Sequence, residues 1–133
     1  MLPVSCGEVY AAWTQPELVR EWFSPSAEMD VPVAELDVRK GGRYRIVMQE
    51  KNGDVYSPSG VYEQVLPGRK LVFTWTWEGS DATTRVTVEL CELAGDETEL
   101  TLTHEGFPDN ESRSKHEDGW NGCLGRLESL LAR

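Results

Sequence analysis

The segment Leu71-Val72-Phe73-Thr74-Trp75-Thr76-Trp77 alternates bulky apolar side chains at 71, 73, 75 and 77 with small or β-branched ones at 72, 74 and 76. Successive residues of a strand point to opposite faces of a sheet. The segment therefore predicts a strand with one face of large, mostly aromatic side chains and one Thr-rich face. So much ring surface on one side of a ribbon must be covered. Either it fills a core, or it lines a hollow that receives something.

The period of two recurs on both sides of this segment. Val31, Val33, Leu36 and Val38 predict a bent or bulged strand, and Tyr44, Ile46 and Met48 alternate with Arg43 and Arg45. A strand follows over 60–65. Val86, Val88 and Leu90 then alternate with polar neighbours, and Leu100, Leu102 and His104 share one parity in the next run. Lys40-Gly41-Gly42, Asn52-Gly53, Pro67-Gly68, Glu78-Gly79 and Ala94-Gly95-Asp96 supply the turns. Regularly spaced strands with short turns imply an antiparallel meander with one apolar face.

The two ends of the chain have helical period instead. Val9, Ala12 and Trp13 predict a first helix after a Cys6-Gly7 turn; Pro16 and Glu17 open a second, with Leu18, Trp22 and Phe23 inward. Trp120, Cys123 or Leu124, Leu127, and Leu130 or Leu131 share one face of a long last helix that Asn110 or Ser112 would cap. That helix is the long element available to cover the apolar sheet face. The expected architecture is one α+β domain over 1–133. It has two short helices, a curved antiparallel sheet of about six strands and a long C-terminal helix on its concave face. A short extra strand is expected at Leu2–Val4, where Pro3 restricts it to an edge.

Composition excludes several classes. The formal charge is −10, from 13 Lys and Arg against 23 Asp and Glu, which argues against non-specific nucleic-acid binding and against adsorption to anionic membranes. No apolar run reaches the roughly 20 residues of a membrane span, and the first six residues lack signal-peptide character, so a cytoplasmic protein is expected. Cys6, Cys91 and Cys123 are far apart and form no CxxC pair; they read as reduced thiols, mostly buried.

Catalytic motifs are sparse. His104 and His116 flank an acidic loop and could, with Glu105 or Glu117, bind a metal or exchange protons, but no HxH or HxxxH spacing joins them. There is no GxSxG elbow, no phosphate-binding glycine loop and no cofactor motif, so no cofactor is expected. Arg39, Arg43, Arg45 and Arg69 with Glu35, Asp37 and Glu63 read as a cross-strand ion-pair face.

An ordered set of words runs from about residue 8 to the C-terminus. It comprises Val9-Tyr10-Ala11-Ala12-Trp13-Thr14-Gln15-Pro16-Glu17-Leu18, Trp22-Phe23-Ser24-Pro25, Asp37-Val38-Arg39-Lys40-Gly41-Gly42-Arg43-Tyr44, Gly60-Val61-Tyr62, Leu71-Val72-Phe73-Thr74-Trp75, Thr98-Glu99-Leu100-Thr101-Leu102-Thr103-His104 and Gly119-Trp120. Together they resemble the START-like (SRPBCC, helix-grip) superfamily, and within it the homologues of the C-terminal domain of the heat-shock-protein-90 ATPase activator. The resemblance implies a cavity between the last helix and the sheet, and relatives that bind lipids, hormones, polyketides or other hydrophobic molecules. It implies no catalytic set. Only Leu2–Ser5 precede the first helix, where that family usually has a full strand; this leaves edge pairing, including homodimer pairing, open.

The leading expectation is a binding module for a small hydrophobic or aromatic molecule, contacted by Tyr44, Met48, Tyr62, Phe73, Trp75, Trp77, His104, Trp120 and Leu124. The second is a protein-interaction module that uses the Trp22-Phe23-Ser24-Pro25 corner. An enzyme acting on a polyketide-like substrate comes third.

Overall fold

Trp13 and Trp22, nine residues apart, meet at the centre of the N-terminal packing, and the way they do so explains the first turn of the fold. The computed structural model describes residues 2–26 and 28–132. Helix α1 (Cys6–Thr14) ends at Gln15, which is extended, and α2 starts at Pro16 and runs to Trp22. The carbonyl of Ala12 would ordinarily accept from the N–H four residues on, but that residue is Pro16, which has none. The Trp22 indole Nε1 donates to the Ala12 carbonyl instead, at 2.8 Å, with the Trp22 side chain wholly buried. The two rings pack in a T-shaped arrangement, with centroids 4.7 Å apart.

Two details of this region differ from the sequence reading. Cys6 and Gly7 form the first turn of α1, because Ser5 caps it by accepting the Glu8 N–H. On α2 the buried pair is Val19 and Trp22, while Leu18 is half-buried on the flank.

The strands are β1 (Asp30–Leu36), β2 (Arg43–Gln49), β3 (Val55–Tyr56), β4 (Pro58–Leu66), β5 (Lys70–Trp77), β6 (Thr83–Leu93) and β7 (Glu97–Glu105). They form one antiparallel sheet in the order β1-β2-β4-β5-β6-β7, with the two-residue β3 added to the end of β2. The bend expected in the first strand is a register shift between Asp30 and Val33. The bulky face of β5 turns inward, burying Leu71, Phe73 and Trp75, and Tyr44, Ile46 and Met48 of β2 and Val86 and Val88 of β6 join it. Arg39 pairs with Asp37 and Arg45 with Glu35, as the charge pattern implies, whereas Glu63 pairs with Arg85 at 2.7 Å. These pairs are exposed, so water screens them and they contribute little to stability.

The N-terminal edge is a single bridge. Leu2 exchanges backbone hydrogen bonds of 2.7 and 2.9 Å with Thr98 of β7, and the Thr98 hydroxyl donates to the Val4 carbonyl. The expected extra strand is thus reduced to one residue pair.

Helix α3 (Asn110–Leu131) lies on the concave face and buries Trp120, Cys123 and Leu127. Its cap is Asp109, one residue before the expected Asn110, with the carboxylate accepting the Ser112 N–H at 2.7 Å. Of the three cysteines only Cys123 is buried; Cys6 is half-buried and Cys91 exposed.

Candidate ligand cavity

The space between α3 and the sheet has a filled end and an open end. At the filled end Tyr44, Tyr62 and Phe73 interlock at centroid separations of 5.3 to 6.0 Å, and the Tyr44 hydroxyl donates to the Thr74 carbonyl at 2.5 Å. A void of only about 20 Å³ remains there. At the open end lies a cavity of about 370 Å³. Its sheet wall is Met48 of β2, Tyr56 of β3, and Trp75 and Trp77 of β5; its helix wall is His116, Gly119, Trp120 and Cys123. Phe23, Pro25 and Met29, from the corner after α2, close one side, and Glu50 and Lys115 stand at the edge.

Of the expected contact residues, Met48, Trp75, Trp77 and Trp120 line this cavity. Tyr44, Tyr62 and Phe73 belong to the filled end. His104 stands behind the wall, against Trp75 and Trp120, and Leu124 packs half-buried against the core elsewhere on α3. Cys123 follows Trp120 by three residues on the same helix face, so the helical stripe already pointed to it. Phe23, Pro25 and Met29 had no such signal. They reach the cavity because the corner after α2 is clamped onto α3. Arg126 donates to the Glu21 carbonyl at 3.0 Å, to the Ser26 carbonyl at 3.2 Å and to the Ser24 hydroxyl. Gly122 makes room for the approach, since a Cβ there would sit 2.3 Å from the Pro25 carbonyl oxygen.

The same clamp buries Trp22, Phe23 and Ser24. The corner considered as a protein-docking surface therefore exposes only Pro25. The exposed large apolar side chains among the described residues are Val55, Tyr56 and Leu66.

Two histidines make the cavity wall apolar. Trp77 Nε1 donates to His116 Nε2 at 2.8 Å, which leaves His116 Nδ1 to donate to the Ser112 carbonyl at 2.7 Å. Trp120 Nε1 donates to His104 Nδ1 at 3.0 Å, and His104 Nε2 then donates to the Thr84 hydroxyl at 2.6 Å. These partners assign each imidazole as neutral, with one nitrogen accepting and one donating. The indole N–H groups of Trp77 and Trp120 are consumed, so neither offers the polar tip that aromatic residues often present to a ligand. In this arrangement neither histidine has a lone pair free for a metal or for a proton from a substrate. Burial pushes the His104 pKa down to about 3, with the neighbouring His116 acting in the same direction. Burial likewise pushes the Cys123 thiol up to about 12, which keeps it protonated and a poor nucleophile. The buried indole N–H groups of Trp13 and Trp75 have no hydrogen-bond partner, and both rings pack T-shaped against neighbouring rings.

The His104 network carries a pH prediction. A histidine whose folded pKa lies below its unfolded value of about 6.5 stabilises the fold at neutral pH. That contribution falls as pH drops below about 6.5 and is lost near pH 3. His104→Gln is expected to lose less stability than the wild type between pH 7 and pH 4. The difference should be on the order of 2 kcal/mol, discounted because the ring is partly solvent-exposed. Urea unfolding at several pH values measures it; parallel pH profiles for the two proteins would contradict the half-buried, neutral His104.

A curved antiparallel sheet gripping a long C-terminal helix, with a hollow between them and two short helices closing one side, defines the class as the helix-grip α+β fold. Within that class the chain belongs to the activator of Hsp90 ATPase homolog 1-like protein family, whose model matches residues 3–132. It is similar to the AHSA1 protein from Silicibacter pomeroyi, at 28% identity and TM-score 0.84, over 98% of this chain and 92% of that one. It is also similar to a protein from Nitrosomonas europaea, at 26% identity and TM-score 0.81, over 98% and 89% of the two chains. A Chromobacterium violaceum protein, 24% identical, shares the fold at TM-score 0.89 over 99% and 92%. No curated protein matches the chain in sequence. Among the described residues no helix is long and apolar enough to cross a membrane.

Proposed function

We propose that this protein is a binding module for a small hydrophobic or aromatic molecule, held in the cavity between α3 and the sheet. The observation that carries the reading is the cavity itself. At about 370 Å³ it falls within the range of small-molecule sites, and it is walled by aromatic rings and thioethers, with the Trp77 and Trp120 indole N–H groups bonded to His116 and His104. Met29 and Met48 add surfaces that adapt to the shape of an occupant. Trp22, Phe23 and Ser24 of the corner are buried and only Pro25 is exposed, which favours the cavity over the corner as the site of binding.

Three of the five tryptophans, Trp75, Trp77 and Trp120, line the cavity. Titration with the apolar dye Nile red is expected to quench tryptophan emission saturably while dye emission rises, and lipids or aromatic compounds that bind should displace the dye. Absence of a saturable signal with the dye and with every member of such a panel would refute the binding reading.

A further inference from the structure

We propose that Gly119 sets what the cavity admits, and that the occupant is an uncharged ring system lying against the bare backbone of α3 at that residue. The inference rests on the binding reading above and adds to it a ligand class and the position that selects it. Helix α3 carries Gly119, Gly122 and Gly125, although glycine is unfavourable in a helix interior relative to alanine. Gly122 is required by the approach of Pro25. A Cβ on Gly119 or on Gly125 would meet no heavy atom within 4 Å. What separates these two is where the missing side chain would go. Gly125 lies on the exposed side of α3. Gly119 follows His116 by three residues and precedes Cys123 by four, the spacings that bring helix residues onto one face, and all three line the cavity. A side chain at 119 would therefore occupy volume that is now open to a ligand.

The walls decide the charge of the occupant. Trp77 Nε1 is bonded to His116, Trp120 Nε1 to His104 and His116 Nδ1 to backbone, and Cys123 is a neutral thiol. An ion entering the cavity would shed water and, apart from the edge charges, find only the Tyr56 hydroxyl and the Cys123 thiol to replace it. The two charges at the edge, Glu50 and Lys115, are of opposite sign, and Lys115 already pairs with Glu111 at 3.2 Å. The rings and thioethers suit an aromatic occupant through stacking and sulfur–aromatic contact.

Calorimetric titration of the wild type, Gly119→Ala, Gly119→Leu and Gly125→Leu with 2-naphthol and with 2-naphthoate at pH 7.5 tests the proposal, with circular dichroism to compare folding. The wild type is expected to bind 2-naphthol at least tenfold more tightly than 2-naphthoate. Gly119→Leu should weaken 2-naphthol binding at least tenfold and Gly119→Ala by less, while Gly125→Leu matches the wild type. Equal affinities in the two leucine variants would overturn the assignment to Gly119. Equal affinities of the wild type for the two probes would overturn the uncharged class. Failure of the wild type to bind either naphthalene or Nile red would instead remove the underlying binding reading.

Discussion

Trp22→Ala is expected to lower stability by about 3–5 kcal/mol, the range for removing a large buried aromatic side chain. The site makes the upper part of that range the expectation. The ring is wholly buried, it packs against Trp13 and Phe23, and its N–H is the donor to a carbonyl that Pro16 cannot serve. Trp22→Phe separates the two contributions. It keeps much of the ring packing but leaves the Ala12 carbonyl without its indole donor, which costs about 1–3 kcal/mol for a buried polar group. Urea unfolding of both variants should give two distinct midpoints below that of the wild type. A phenylalanine variant as stable as the wild type would mean that the Ala12 carbonyl finds another donor and that the link between α1 and α2 is packing alone.

The second large effect is expected at Gly122. A Cβ there would lie 2.3 Å from the Pro25 carbonyl oxygen and 3.1 Å from the Pro25 Cα, so the obstacle is backbone and cannot rotate away. Gly122→Ala must push the corner after α2 off α3, stretching the hydrogen bonds from Arg126 and widening the cavity wall at Phe23 and Pro25. A loss of about 2–3 kcal/mol is expected from overpacking, even after the gain in helix propensity. Gly125→Ala has no such obstacle and should stabilise the protein by up to about 1 kcal/mol. Two glycine-to-alanine changes three residues apart on one helix should thus shift the urea midpoint in opposite directions. Shifts of the same sign would show that the corner does not rest on α3 as described.

Much of the fold was legible because its elements are written in local periods. The alternation at 71–77 predicts a strand whose bulky side chains must be covered, and it forms β5 with Leu71, Phe73 and Trp75 buried. The stripe Trp120, Cys123 and Leu127 predicts the helix that covers it. Errors fell at element ends. Ser5 rather than the Cys6-Gly7 pair marks the start of α1, and Asp109 rather than Asn110 or Ser112 caps α3, because neighbouring polar residues can each serve as a cap and only the path of the incoming chain selects one. The two-residue β3 carries no alternation long enough to read.

The cavity was less legible. A parity pattern says that Tyr44, Tyr62, Phe73, Trp75 and Trp77 face inward, but the same pattern serves a packed interior and a hollow. Which end is filled depends on how far α3 and the corner after α2 stand from the sheet. That distance is set by contacts across about a hundred residues of sequence, from Arg126 to Ser24 and Ser26, and by the missing side chain of Gly122. Likewise nothing local joins His116 to Trp77 or His104 to Trp120. By itself, then, the amino-acid order determined the class of fold, the inward faces of β2, β5 and β6 and the helix that closes over them, since side-chain period acts within one element. Tertiary structure alone decided where the space lies and how its walls become apolar, since a void is what remains between elements and no residue encodes it.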